Sequence, residues 1–209
     1  MNDSPRESFL AALDARLSPE GFRLRRRSQS WRRETRGLPA IGIHVNFGRS
    51  SQPLAVIPTI GVRYDSIEGE LVRAGIVQAG AIKDRFTFAR PLTVVADGVY
   101  EVSATEGPGP TVDRIWADWC AEGRSFAEQL SDLDAVITML ESDIPAQWCC
   151  ASRSDRARLL PVALAVSGRF AEASDWLPRL GEDIRGRDQM LPEFDAFRTW
   201  FSERWQVGK

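Results

Sequence analysis

From Ala40 to Phe47 apolar and polar positions alternate, with Ile41, Ile43, Val45 and Phe47 on one side of an extended chain and Gly42, His44 and Asn46 on the other. That period of two predicts a strand with one face in a core. Similar patterns flank it, at Phe22–Arg27 and Gln29–Arg36 before and Ala55–Arg63 after, with Gly37-Leu38-Pro39 and Gly48–Pro53 as connections. An antiparallel meander is expected. Ahead of it Phe9, Leu10, Leu13 and Leu17 recur at helical spacing. Ser4-Pro5-Arg6-Glu7 supplies a hydroxyl cap, a proline at the first helical position and a carboxylate at the third, so a helix starts there; Ser18-Pro19-Glu20-Gly21 stops it.

Beyond the meander, Ile67–Ala74 reads as a short helix, and Arg85–Ala89, Leu92–Val95 and Tyr100–Ala104 as strands punctuated at Ala96-Asp97-Gly98 and Glu106–Pro110. The Gly107-Pro108-Gly109-Pro110 segment reads as a stiff linker that ends the sheet. Everything after it has helical periodicity, at Val112–Ala121, Phe126–Leu140, Asp155–Val166, Phe170–Leu180 and Glu193–Trp205. The expected class is therefore α+β: an antiparallel β-sheet with a leading N-terminal helix, followed by an all-helical C-terminal half. The corresponding division is a helix-plus-sheet domain at 1–108 and a helical region at 109–209 packed on it. Within the latter, RLLPVALAVSGRFAEASDWLPRL is similar to one helical hairpin of a tetratricopeptide-type repeat, but no second copy follows at a spacing of about 34 residues, so a plain helical pair is expected. Trp116/Trp119 and Phe197/Trp200/Phe201 have spacings that suit a helical core, while Trp148, Trp176 and Trp205 complete the tryptophans of this half.

Composition narrows the class. Of 209 residues, 43% are hydrophobic and 27% charged, a balance that supports a packed core. No run approaches the roughly 20 apolar residues of a membrane span, and MNDSPRESF lacks the basic and apolar regions of a secretory signal, so no membrane association and a cytoplasmic location are expected. Cys120, Cys149 and Cys150, an odd number with an adjacent pair, suit reduced thiols better than a disulfide framework. Residues 1–100 carry 15 Lys and Arg against 10 Asp and Glu, whereas 101–209 carry 12 against 19. Such asymmetry serves either to steer an anionic partner to the first half or to attract the two halves to each other.

Candidate chemistry is sparse. His44 is the single histidine and no G-x-S-x-G elbow occurs, which removes the base and the nucleophile of a Ser-His-Asp hydrolase. The cysteines and His44 lack zinc-ligand spacing, and Asp132-x-Asp134 is not completed by the glycine and glutamate of a calcium loop. No phosphate-cradling glycine motif is present. The sequence thus nominates no catalytic residue, no metal and no cofactor, and leans away from an enzyme. A pair of carboxylates doing acid–base work leaves no local motif, so an enzyme or small-ligand protein stays as an alternative.

What stands out is GFRLRRRSQSWRRETRG at residues 21–37, with seven arginines and one tryptophan. Phe22 and Leu24 directed inward would leave Arg23, Arg25 and Arg27 on the opposite, solvent side; with Trp31 in the core, Arg32, Glu34 and Arg36 join them, Glu34 neutralising part of the charge. The bland use of such a face is a solvated sheet whose arginines discourage edge-to-edge pairing. The functional use is recognition, with Arg23, Arg25, Arg27, Arg32, Arg36, His44 and Asn46 as candidate partner-binding residues. A nucleic-acid binder would need exposed aromatics between its basic groups, and here Trp31 is the single candidate against a net charge of −2. An acidic protein partner therefore ranks above nucleic acid.

Phe9, Leu10, Leu13, Leu17, Gly21, Phe22, Trp31, Arg32 and Arg33, followed by the extended Ile41–Phe47 segment, resemble a group of uncharacterised bacterial domain-of-unknown-function proteins. The resemblance covers about the first 65 residues. It implies a leading helix packed on an antiparallel sheet, no catalytic residues, and an immunity-like role in which the protein neutralises a toxin by binding it.

Overall fold

The computed structural model describes residues 4–49, 53–77, 85–96, 99–142, 153–184 and 191–205. Helix α1 spans Pro5–Leu17 and opens as the capping signal requires: the Glu7 N–H donates to Ser4 Oγ at 3.3 Å and the Ser4 N–H to Glu7 Oε2 at 3.2 Å. Phe9, Leu13 and Leu17 are its buried stripe. A short 3₁₀ turn and Gly21, at φ +84°, then reverse the chain into the sheet.

Six antiparallel strands follow: β1 (Arg23–Arg25), β2 (Ser30–Arg33), β3 (Ala40–Phe47), β4 (Leu54–Arg63), β5 (Phe88–Pro91) and β6 (Tyr100–Val102). Their order is β1-β2-β3-β4-β5, with β6 also paired to β4. Register places Leu24, Trp31, Ile43 and Ile60 in one row, and Trp31, Ile43 and Ile60 are fully buried. This row lies on the core face, so the alternation along β3 reads as expected. Helix α2 (Asp65–Arg73) lies between β4 and β5 in the chain, and α3 (Leu92–Val95) between β5 and β6. After β6, α4 (Gly109–Asp118), a π turn (Trp119–Gly123) and α5 (Arg124–Gln129) run on as one helical stretch; α6 (Leu133–Glu141), α7 (Arg153–Val166), α8 (Phe170–Ile184) and α9 (Leu191–Trp205) complete the chain. The fold is α+β, with an N-terminal helix, a six-stranded antiparallel sheet and a helical C-terminal half.

Local structure departs from the sequence pattern at four places. Leu92–Val95, expected as a strand, is a single helical turn: Pro91 closes β5 opposite Thr59, and Leu92 turns inward. Gly109 and Pro110 are not linker but the first turn of α4, where proline lacks only a donor that would be orphaned. The expected helix Phe126–Leu140 breaks before Leu133, because the Asp132 carboxylate accepts from the Asp134 and Ala135 N–H groups and starts α6. The first strand ends at Arg25, since Arg26–Ser28 form a 3₁₀ turn and Gln29 is left-handed at φ +49°. Cys149, Cys150, Trp148 and the turn at Asp97-Gly98 lie outside the described residues.

The chain groups into two compact units. The first, Met1–Arg63 with Phe88–Ser131, holds α1, all six strands, α3, α4, the π turn and α5. Residue 108, where the sequence division falls, lies within it. The second, Tyr64–Thr87 with Asp132–Lys209, is helical: α2 with α6 to α9. Its core is built on α7, where Leu159, Leu160, Val162, Ala163 and Leu164 are all buried, and on Phe194, Phe197 and Phe201 of α9. Buried Glu70 of α2 pairs with Arg73 and accepts from Arg204 of α9 through both carboxylate oxygens, at 3.1 and 3.2 Å. Arg169 makes the same two-pronged contact with Glu172 at 2.9 and 2.6 Å, which holds the Glu172 carboxyl below its ordinary range. Among the described residues no helix is long and apolar enough to cross a membrane.

Candidate functional site

The arginine-rich segment is a tight hairpin whose geometry follows from three local choices. Gly21 supplies a left-handed turn, Phe22 and Trp31 are buried against the core, and the 3₁₀ turn Arg26–Ser28 connects the strands. The indole N–H of Trp31 donates to Asp14 Oδ1 of α1 at 2.9 Å, which ties β2 to that helix. With Leu24 opposite Trp31, the pairs Arg23↔Arg32 and Arg25↔Ser30 fall on the other face. Continuing across the sheet, Gly42, His44 and Asn46 of β3 and Thr59 and Gly61 of β4 share that face.

The structure brings three of the expected residues together. Arg23, Arg25 and Arg32, with Gly21 and Glu34, line a cleft of about 530 Å³. Arg25 reaches Glu34 Oε1 at 3.3 Å, in a pair whose Glu34 side chain is 72% exposed. Arg23 is exposed and has no ion-pair partner among the described residues. Arg32, expected on the solvent side, is only 5% exposed. It forms the floor of the cleft rather than an outer contact.

The other nominated residues lie elsewhere. Arg27 belongs to the 3₁₀ turn, so the period of two that would align it with Arg23 and Arg25 is broken before it. Arg36 is exposed in the turn after β2 rather than on a strand face. His44 is half-buried and shares a 2.9 Å hydrogen bond between Nε2 and Asn46 Oδ1, while Asn46 is exposed opposite Ile57. Arg63 shares the face of His44 but is buried at the far end of β4, opposite Ala40.

A second concavity, of about 510 Å³, runs between α1 and the hairpin. Leu10, Ala11 and Leu24 give it apolar walls, and Asp14, Arg26 and Gln29 polar ones. No residue pattern signals it, because it depends on how α1 lies beside β1. Among the described residues no three His, Cys, Asp or Glu side chains are grouped to hold a metal ion. No family model, no curated protein and no solved structure matches the chain.

Proposed function

We propose that this protein is a non-enzymatic cytoplasmic binding module that meets an acidic protein partner through the arginine-rich hairpin. The observation that carries the reading is how local the positive charge is. Residues 21–37 hold seven arginines against Glu34, whereas the whole first unit holds 14 basic residues against 12 acidic ones. The hairpin is thus a basic patch on an otherwise acidic unit. Four of its arginines, Arg23, Arg26, Arg27 and Arg36, are exposed and without an ion pair among the described residues.

Guanidinium groups suit carboxylates because their donors form a planar fork. Complementary charge of this kind speeds encounter and selects the partner more than it adds affinity. Trp31 argues against nucleic acid: it is fully buried and hydrogen-bonded to Asp14, so it offers no face for a base to stack on. Toxin neutralisation is the form of binding that the N-terminal resemblance implies. A small-ligand reading has one observation behind it, the groove between α1 and the hairpin.

The test is capture from cell extract by immobilised wild-type protein and by an Arg23→Glu/Arg27→Glu/Arg36→Glu variant whose folding is checked by circular dichroism. The expected result is a discrete acidic protein held by the wild type, released by salt, re-bound after purification and lost with the variant. Equal capture by both proteins, or retention of nuclease-sensitive material instead, overturns the proposal.

A further inference from the structure

Resting on the binding reading above, we infer that Glu34 is an internal stand-in for a partner's carboxylate, and that binding in the Arg23–Arg25–Arg32 cleft proceeds by exchange with it. Glu34 is the one carboxylate among residues 21–37 and the one acidic residue lining the cleft among those described. It already shows what the cleft accepts, since its Oε1 lies 3.3 Å from the Arg25 guanidinium.

The pair is also built to exchange. The Glu34 side chain is 72% exposed and the Arg25 side chain 39% exposed, so water can solvate both groups while they separate. An exposed pair of this kind is held by little free energy, because its attraction is screened and its side chains lose freedom in forming it. A carboxylate arriving from a partner gains more than Glu34 does, because Arg23 stands on the same strand two residues away, on the same face and with no ion-pair partner among the described residues. Alternate residues of a strand are about 7 Å apart, a distance over which one acidic side chain reaches both or two alternate acidic residues take one each. The class of ligand is therefore an acidic peptide segment presenting aspartate or glutamate side chains. Glu34 sets the threshold: a single weak anion does not displace it, whereas a clustered one does.

The inference is distinguishable from a general field effect, in which removing any nearby negative charge strengthens anion binding. The experiment titrates a fluorescent polyglutamate peptide into wild type, Glu34→Gln, Arg25→Gln and the double variant, with Glu106→Gln as a charge-matched control away from the cleft. Exchange predicts that Glu34→Gln tightens binding about two- to fivefold in the wild-type background and has no effect once Arg25 is Gln. Glu106→Gln should leave affinity unchanged. A Glu34→Gln effect of equal size in both backgrounds, or matched by Glu106→Gln, overturns the exchange. So does absence of peptide binding to wild type and Glu34→Gln alike. The broader binding reading is judged separately, by capture from extract.

Discussion

Gly123 shows how one residue fixes a helix against the sheet. A Cβ placed there would lie 2.6 Å from Ile60 Cδ1 and 2.8 Å from Trp119 Cε3, closer than van der Waals contact permits. Ile60 is 0% and Trp119 1% exposed, so neither has room to withdraw. The π turn that ends at Gly123 lets the helical stretch from α4 to α5 pass Ile60 of β4 at this distance. In an ordinary helix interior, Gly→Ala stabilises by up to about 1 kcal/mol. At this position overpacking prevails, and Gly123→Ala is expected to destabilise by about 1–3 kcal/mol. A lowered urea midpoint at unchanged slope is the predicted observation, and a raised midpoint would show that the close approach is not a constraint.

Among elements, α1 and the hairpin are tied by the side-chain hydrogen bond from Trp31 to Asp14, beside the backbone bond from the Phe22 N–H to the Leu17 carbonyl. Trp31→Phe keeps most of the buried ring but removes the donor, and the expected cost is about 1–3 kcal/mol. Asp14→Asn, which keeps an acceptor at the same place, should cost less. Hydrogen exchange is the direct measurement: α1 amides should lose more protection in Trp31→Phe than those of β3 and β4, and uniform loss would mean that the bond does not act on α1. The core side of a strand was legible from period alone, as buried Ile43 and Val45 of β3 demonstrate, but the exposure of the opposite side was not, since Gly42 there is buried and His44 half-buried. Pro58 in β4 fits as well, because it stands between the residues that pair β6 and those that pair β5, where no ladder bond is lost. What period cannot carry is a local hydrogen bond that overrides it. Asp132 starts a helix inside an apparently continuous pattern, and Pro91 ends a strand before a β-branched run. The site was half legible for the same reason: Arg23, Arg25 and Arg32 share a face as alternation predicts, but the 3₁₀ turn Arg26–Ser28, closed by Gln29 in a left-handed conformation, takes Arg27 off it. Burial of Arg32 depends on residues distant in the chain. So does the grouping of α2 with the C-terminal helices, to which Glu70 and Arg204 contribute across 134 positions.

For the whole molecule, each unit carries one of the chain's two tyrosines, which makes alkaline titration a reporter of both. Burial pushes the Tyr100 phenol well above its ordinary range. The hydrogen bond it donates to Asp118 Oδ2, at 2.7 Å, and the charge of that carboxylate push it further, with Arg114 opposing in part. Tyr64 in the second unit is raised by burial first and by the Asp132 charge second. In the unfolded chain both ionise near the usual tyrosine pKa of about 10. Below that value folded and unfolded states hold the same phenolic protons, and the stability that these groups confer is fully present. Above it the unfolded chain releases protons that the folded one retains, so stability falls by about 1.4 kcal/mol per pH unit for each tyrosine until the folded pKa is reached. The expected record has tyrosinate absorbance rising together with loss of the helical circular dichroism signal rather than before it. Tyr100→Phe isolates Tyr64, so the second unit can be followed alone. A tyrosinate step near pH 10 with the dichroism unchanged would show that the phenol is open to water, and would contradict the burial from which the raised values follow.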